Sequence, residues 1–242
     1  VLKTVKSVTI AGEASPDPDC AGSQLAMRRL CHQVNPGLSI KLLNDQGCPS
    51  NLRWLKDAKM LSVPSESEPV ADLVIVVDGG IERCGPRTRE LVELSPKRAL
   101  IDHHLVGSSF EYDASIVDAQ AASTTEIIFD LAKVWDLAID QVIADALYLG
   151  LVADTGSFQF SSTSAHSLEV AAELVRAGAR ASLIAEKVRL ERPFDFLTFQ
   201  SRVFGKLKRY HDGRVLVCVA DREDIEGLKL GDLPFDQALS SF

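Results

Sequence analysis

Aspartate recurs in this sequence where strand-like runs end. Asp17 and Asp19 follow the β-branched run 5–11, Asp78 with Gly79-Gly80 closes the run 73–77, and Asp102-His103-His104 closes the run 99–101. Asp154 stands before Thr155-Gly156, just after an apolar helical stretch. Singly, each has an ordinary structural role. Aspartate caps helices, aspartate before glycine makes turns, and a histidine pair after a strand sits readily in a surface loop. Together they describe a chemistry. In an open parallel sheet the carboxyl ends of the strands share one edge, and groups from separate strands converge in the crevice where the strand order reverses. Carboxylates gathered in a low-dielectric cleft repel one another and call for cations among them. An oxygen-rich set with one or two imidazoles suits manganese or magnesium better than structural zinc.

The elements that must position these groups alternate between short β-branched runs and longer helical patterns, which predicts βαβ units on a parallel sheet. Strands are expected at 5–11, 39–43, 73–77, 99–101 and 115–117. A helix over 21–33 ends at the Asn35-Pro36-Gly37 breaker. Ser123 and Glu126 have capping-box spacing, so a helix starts there and runs to about Trp135. Another follows over 139–152. Leu168, Ala171, Ala172 and Val175 recur at helical spacing up to Gly178, which predicts a further helix, with His166 in an early or capping position. Beyond Arg180 the composition changes, with Lys187, Arg189, Arg192, Arg202, Lys206, Lys208 and Arg209 interspersed among apolar residues. The expected organisation is α/β: a parallel-sheet domain flanked by helices over 1–185, a helical linker over 186–209, and the beginning of a smaller second domain over 210–242, with an apolar strand at 214–220.

Composition narrows the function classes. The chain has 242 residues, 46% of them hydrophobic and 25% charged. It has no apolar run near the ~18 residues needed to cross a bilayer, which predicts a soluble protein with no membrane partner. Nothing at the N-terminus reads as a secretory signal, so the cytoplasm is the expected location. Five scattered cysteines without a CxxC pair are expected as reduced thiols, Cys31 and Cys218 in the core. The net charge of -8 has the wrong sign for binding along a long nucleic-acid backbone. A phosphate-bearing partner should therefore be small, or be met by metal ions. Within the basic stretch, Arg192 and Arg202 are candidate contacts for a substrate's distal phosphates.

Four motifs, taken in order, resemble those of the DHH phosphoesterases. They are Ser15-Pro16-Asp17-Pro18-Asp19 with Gly22-Ser23 behind it, Val76-Val77-Asp78-Gly79, Ile101-Asp102-His103-His104, and Gly150-Leu151-Val152-Ala153-Asp154-Thr155-Gly156-Ser157-Phe158. The last string, with Phe160 and Ser162 beyond it, is most similar to the branch containing oligoribonucleases, pAp phosphatases and cyclic-dinucleotide phosphodiesterases. The resemblance runs from about residue 6 to about 215. It implies two divalent cations, manganese first and magnesium second. One would sit on Asp17 and Asp78, the other on Asp19, Asp78, His103 and Asp154, with Asp78 bridging. In such pairs the ions lie ~3.5–4 Å apart, lower the pKa of a shared water and hold a phosphate for in-line attack. His104 would meet the scissile phosphate or the leaving oxygen, and Asp102 would stand behind the ligands and fix an imidazole. The second domain would be of the DHHA1 type.

The chain departs from the family pattern at two places. Where the first motif has a histidine four residues before its first aspartate, this sequence has Glu13. Glu13 is thus the candidate additional ligand, and it would make the first site all-carboxylate and reduce activity near neutral pH. The glycine-rich Gly-Gly-His segment that grips substrate in the family does not occur before Phe242. The expected activity is metal-dependent hydrolysis of small nucleotides or short oligonucleotides: pAp, short RNA, or linear or cyclic dinucleotides. A catalytically weakened homologue that binds a nucleotide or a protein partner is the first alternative, and a pyrophosphatase-like or polyphosphatase-like hydrolase is the second. A homodimer is a candidate assembly.

Overall fold

In the computed structural model, which describes residues 1–105, 109–190 and 194–229, the β-branched runs assemble into one six-stranded sheet. The strands are β1 (Ser7–Ala11), β2 (Ser39–Leu43), β3 (Leu61–Ser62), β4 (Leu73–Val77), β5 (Arg98–Asp102) and β6 (Ala114–Val117). All pair in parallel, in the order β3-β2-β1-β4-β5-β6. Sequence periodicity missed only β3, whose two residues are too short to show any. This sheet belongs to the first of two units, Val1–Val188.

Helices cover both faces of the sheet, and β4 shows why. Its five residues are all buried. Leu73, Ile75 and Val77 join the larger core, built with residues of α1 (Pro18–Val34), α3 (Thr124–Val134) and α4 (Gln141–Asp154). Val74 and Val76 join a smaller one with Leu100, Ile81, Cys84 and Val92 of α2 (Pro86–Leu94). An apolar run with period two on both faces is the mark of a strand covered on both sides. Two further helices, α5 (Ala165–Arg176) and α6 (Ala181–Ala185), complete the unit. Glycine sets the distance between α1 and α4: a Cβ at Gly22 would lie 2.3 Å from the Ala146 carbonyl oxygen, so only glycine permits this approach.

Cap chemistry moves several expected boundaries. Asp17 accepts a hydrogen bond from the Cys20 amide (2.9 Å) and Pro18 takes the first helical position, so α1 starts three residues before the expected 21. Asp140 caps α4 in the same way, and that helix runs on through Asp154. Asp154 is therefore the last residue of a helix and not part of the loop beyond it. Ser123 caps α3 by accepting from the Glu126 amide, while the Glu126 carboxylate accepts from Ser167 on α5. His166 lies in the first turn of α5, its Nε2 2.9 Å from Asp130. Cys31 is buried as expected. Cys218 is only partly buried, whereas Cys20 and Cys84, unassigned from sequence, are buried.

The second unit begins at Arg189. Its described part holds α7 (Phe194–Phe204), a hairpin of β7 (Lys208–Tyr210) and β8 (Val215–Val217), and the short α8 (Arg222–Ile225). Phe196, Phe199 and Val203 form its core, with Cys218, Ile225 and Leu228 against them. Among the described residues of this unit, the helical stretch at 194–204, read from sequence as part of a linker, thus carries the buried core side chains. The strand expected over 214–220 is shorter, and its three residues are exposed.

Candidate functional site

The strand order reverses between β1 and β4, and the carboxyl ends of these two neighbours deliver Asp17 and Asp78 to one crevice. The chain turns sharply after β4. Asp78 has φ 61° and Gly79 φ 103°, a left-handed pair in which aspartate and glycine are among the residues best tolerated. From the next strand, the His103 imidazole Nε2 lies 3.2 Å from Asp154 Oδ2, 3.6 Å from Asp78 Oδ1 and 4.0 Å from Asp19 Oδ2. The His104 Nδ1 lies 2.7 Å from Asp102 Oδ1 and 3.9 Å from Asp78 Oδ1. Two overlapping groups result, Asp19 with His103 and Asp154, and Asp78 with His103 and His104, each with ligand atoms within 4.8 Å of one another. Carboxylate oxygens with imidazole nitrogens at this spacing fit hard or borderline divalent cations.

The N-terminus of α3 holds this cluster in place. The Thr124 amide donates to Asp19 Oδ2 (2.7 Å), and the Thr125 amide (3.1 Å) and hydroxyl (2.7 Å) donate to Asp19 Oδ1. The Thr124 hydroxyl donates to Asp78 Oδ1 at 3.0 Å. Unpaired amides and the positive end of the helix dipole thus stabilise two buried carboxylates. Sequence reasoning missed Thr124 and Thr125. The hydroxyl run Ser123-Thr124-Thr125 was visible, but it reads as an ordinary cap until Asp19 is placed against it. Asp102 fixes the other side of the site: its Oδ1 accepts from the Gly79 amide (2.8 Å), the His104 amide (3.2 Å) and His104 Nδ1. Past Asp154 the chain turns through Ser157 and Phe158 with φ of 59° and 65°, held by the Thr155 hydroxyl accepting from the Phe158 amide. Strained backbone of this kind clusters at functional sites.

Crowding shows in the acid–base properties. Burial, then the charge of Asp19, raises the Asp17 carboxyl above its usual range. Asp78 is raised well above it by burial and by Asp19, Asp17 and Asp154. Asp154 is pushed up to about 7 by burial and Asp19, despite its bond to His103. Burial works against the charged form of His103, but Asp154 and Asp19 outweigh it and lift the imidazole to about 9. For Asp102 burial is likewise opposed, here by the hydrogen bonds from His104, and the net shift is downward.

These shifts carry a prediction. A cation must displace the protons that Asp154 holds up to about 7 and His103 up to about 9. The apparent affinity for Mn2+ should then climb at least ~10-fold per pH unit between pH 6 and 7, since each displaced proton contributes one power of ten. Calorimetry in buffers of different ionisation enthalpy counts the protons released. An affinity flat from pH 6 to 8 would contradict a cation at these residues.

The remaining site expectations separate. Asp17 lies close enough to raise Asp78, but its Oδ1 is also occupied as the α1 cap. Glu13 reaches the rim of the cluster, where its carboxylate pairs with Arg83, whose Nη1 lies 2.9 Å from His104 Nε2. Arg202 is part of α7, and its Nη1 donates to the carbonyls of Glu223, Asp224 and Glu226 within the second unit. Arg192 falls outside the described residues. No helix among the described residues is long and apolar enough to cross a membrane.

Comparison with known proteins meets this geometry. The chain is 28% identical over 222 residues to a probable bifunctional oligoribonuclease and PAP phosphatase, NrnA, of Streptococcus mutans, covering 91% of this chain and 68% of that protein. It is 28% identical over 225 residues to the bifunctional oligoribonuclease and PAP phosphatase NrnA of Thermus thermophilus, covering 93% and 66%. The chain thus spans about two thirds of the length of these relatives. Among solved structures, an exopolyphosphatase-related protein of Bacteroides fragilis superposes with a TM-score of 0.82 at 22% identity, over 92% of this chain and 68% of that one. The family model described as DHH family, N-terminal domain, matches residues 7–151. That match runs from β1 into α4, through every strand end that brings a carboxylate or an imidazole to the cluster, and on it the chain belongs to the DHH family.

Proposed function

We propose that this chain is a divalent-metal-dependent phosphoesterase hydrolysing small nucleotides or short oligonucleotides, such as pAp, short RNA or linear and cyclic dinucleotides. The observation that carries the reading is the convergence of Asp19, Asp78, His103, His104 and Asp154 at the switch in strand order. The relatives' names supply the substrate class. Two divalent cations, manganese or magnesium, held by Asp17, Asp19, Asp78, His103 and Asp154, would supply charge neutralisation and a water of lowered pKa. Asp78, central to the cluster and hydrogen-bonded by Thr124, would be the carboxylate shared by both cations. Asp102 accepts the His104 Nδ1 proton and so fixes the orientation of the imidazole, which would lie beside the scissile phosphate or the leaving oxygen. The α3 N-terminus holds Asp19 in orientation through three hydrogen bonds, without a conformational change at the moment of reaction. The reading places the protein in the cytoplasm, acting on small substrates and without a membrane or duplex partner. A homodimer is its candidate assembly.

A manganese-supplemented assay offering pAp, a short RNA, a cyclic dinucleotide and pyrophosphate side by side tests the proposal. Hydrolysis of a nucleotide or short oligonucleotide is expected. Activity on pyrophosphate alone would support a pyrophosphatase-like hydrolase instead, and metal binding without turnover would support a weakened nucleotide-binding homologue. With a net charge of -8, the chain should also prefer substrates of a few nucleotides to long strands, which need an extended cationic track. Processive digestion of a long single strand at physiological salt would contradict that.

A further inference from the structure

Arg83 is a cation at the site to which the roles above assign nothing. It ends the one-turn 3-10 helix Ile81–Arg83 that follows Asp78 and lies across Gly79, where a Cβ would come within 2.3 Å of its Cδ. The Arg83 guanidinium pairs with the Glu13 carboxylate, and Nη1 lies 2.9 Å from His104 Nε2. A guanidinium always donates, so His104 Nε2 accepts from Arg83 and the imidazole's own proton points at Asp102 (2.7 Å). Glu13, Arg83, His104 and Asp102 thus form one oriented row along the edge of the cluster. Among the described residues Arg83 is the only lysine or arginine ion-paired with a carboxylate of this site. Its side chain is 47% exposed, so a ligand can reach it.

We infer that Arg83 binds the substrate's phosphate beside His104, and that Glu13 holds Arg83 in position and is not a metal ligand. The inference rests on the phosphoesterase reading and deepens it. Charge supports it: the carboxylates of Asp17, Asp19, Asp78 and Asp154 would balance two divalent cations, and Arg83 offsets Glu13, which leaves only Asp102, behind His104, without a cation. An anionic phosphate would then meet a guanidinium at the edge of the cluster, whose planar fork matches phosphate oxygens two at a time. A fifth unpaired carboxylate would repel the phosphate instead.

Two calorimetric titrations test this on the full chain: Mn2+ into metal-free protein, and inorganic phosphate into Mn2+-loaded protein. Arg83→Gln should weaken phosphate binding ~10-fold or more, the usual consequence of losing a charge-assisted contact, while Mn2+ affinity stays within ~3-fold. Arg83→Lys should recover only part of the loss, because an ammonium lacks the bidentate fork. Glu13→Gln should leave Mn2+ affinity within ~3-fold and change phosphate affinity only while Arg83 is present, so that it has no further effect in the Arg83→Gln background. The backbone tie from the Ala14 amide to the Arg83 carbonyl (3.0 Å) does not depend on either side chain, so both variants should keep the loop; circular dichroism checks this. Normal Mn2+ binding with unchanged phosphate affinity in Arg83→Gln would overturn the inference alone. A tenfold or greater loss of Mn2+ affinity in Glu13→Gln would make Glu13 a ligand and overturn its assigned role. A wild-type chain that binds no Mn2+ would overturn the metal-dependent reading and this inference with it.

Discussion

Asp78→Asn should abolish turnover, with a loss well beyond the ~10–100-fold typical of removing a partner behind a metal ligand. The side chain lies 3.6 Å from His103 and 3.9 Å from His104, so replacing its carboxylate withdraws charge from both overlapping ligand groups at once. The fold should survive, because an amide oxygen still accepts from Thr124. Without metal the variant should even gain stability. The Asp78 carboxyl is raised in the folded chain by burial and neighbouring acids, so ionising it costs stability as pH rises from its unfolded value through its folded one. Thermal unfolding in chelator should show a higher Tm for Asp78→Asn at pH 8, the gap closing toward about pH 3, where the carboxyl is protonated in the folded chain and largely so in the unfolded one. Near-normal manganese-dependent activity in this variant would refute the proposed ligand set.

Gly150→Ala should be nearly as damaging, although it adds a single methyl group and removes no ionisable group. A Cβ there would lie 2.3 Å from Asp19 Oδ1 and 2.6 Å from the Thr125 hydroxyl. Asp19 cannot swing aside without breaking its three hydrogen bonds to the start of α3. Either that carboxylate leaves its place or α4 lifts away from α1. Overpacking of this kind costs about 1–3 kcal/mol, with a fall in Tm of roughly 2–4 °C per kcal/mol for a chain of this size. The informative comparison is Gly22→Ala, whose Cβ meets the Ala146 carbonyl, a backbone atom that cannot rotate away. Gly22→Ala should lose as much stability but less Mn2+ affinity than Gly150→Ala, measured below both unfolding transitions. Wild-type Mn2+ affinity in Gly150→Ala would mean that Asp19 is not a ligand.

The sequence by itself determined what is local. Short apolar runs rich in β-branched residues located five of the six strands of the sheet, because such side chains fit a pleated strand covered on both faces. Helical spacing, one capping box and the breakers located α1, α3, α4 and α5 though not α2, and the acids at strand ends identified the chemistry, because each signal spans only a few neighbouring residues. What the sequence left open is long-range. Thr125 meets Asp19 across 106 positions, and Arg83 meets Glu13 across 70. Neither contact leaves a periodic or cap-like trace along the chain. The second exists because β1 and β4 lie side by side in parallel, the first because α3 packs against α1, and periodicity carries no information on which elements become neighbours. The tertiary structure alone therefore decided that Thr124 and Thr125, beside the predicted cap Ser123, cradle Asp19 and Asp78, and that Glu13 stands against a cation. A buried carboxylate is stabilised by whatever donors folding brings within hydrogen-bond distance, and those donors are set by topology and not by proximity in sequence.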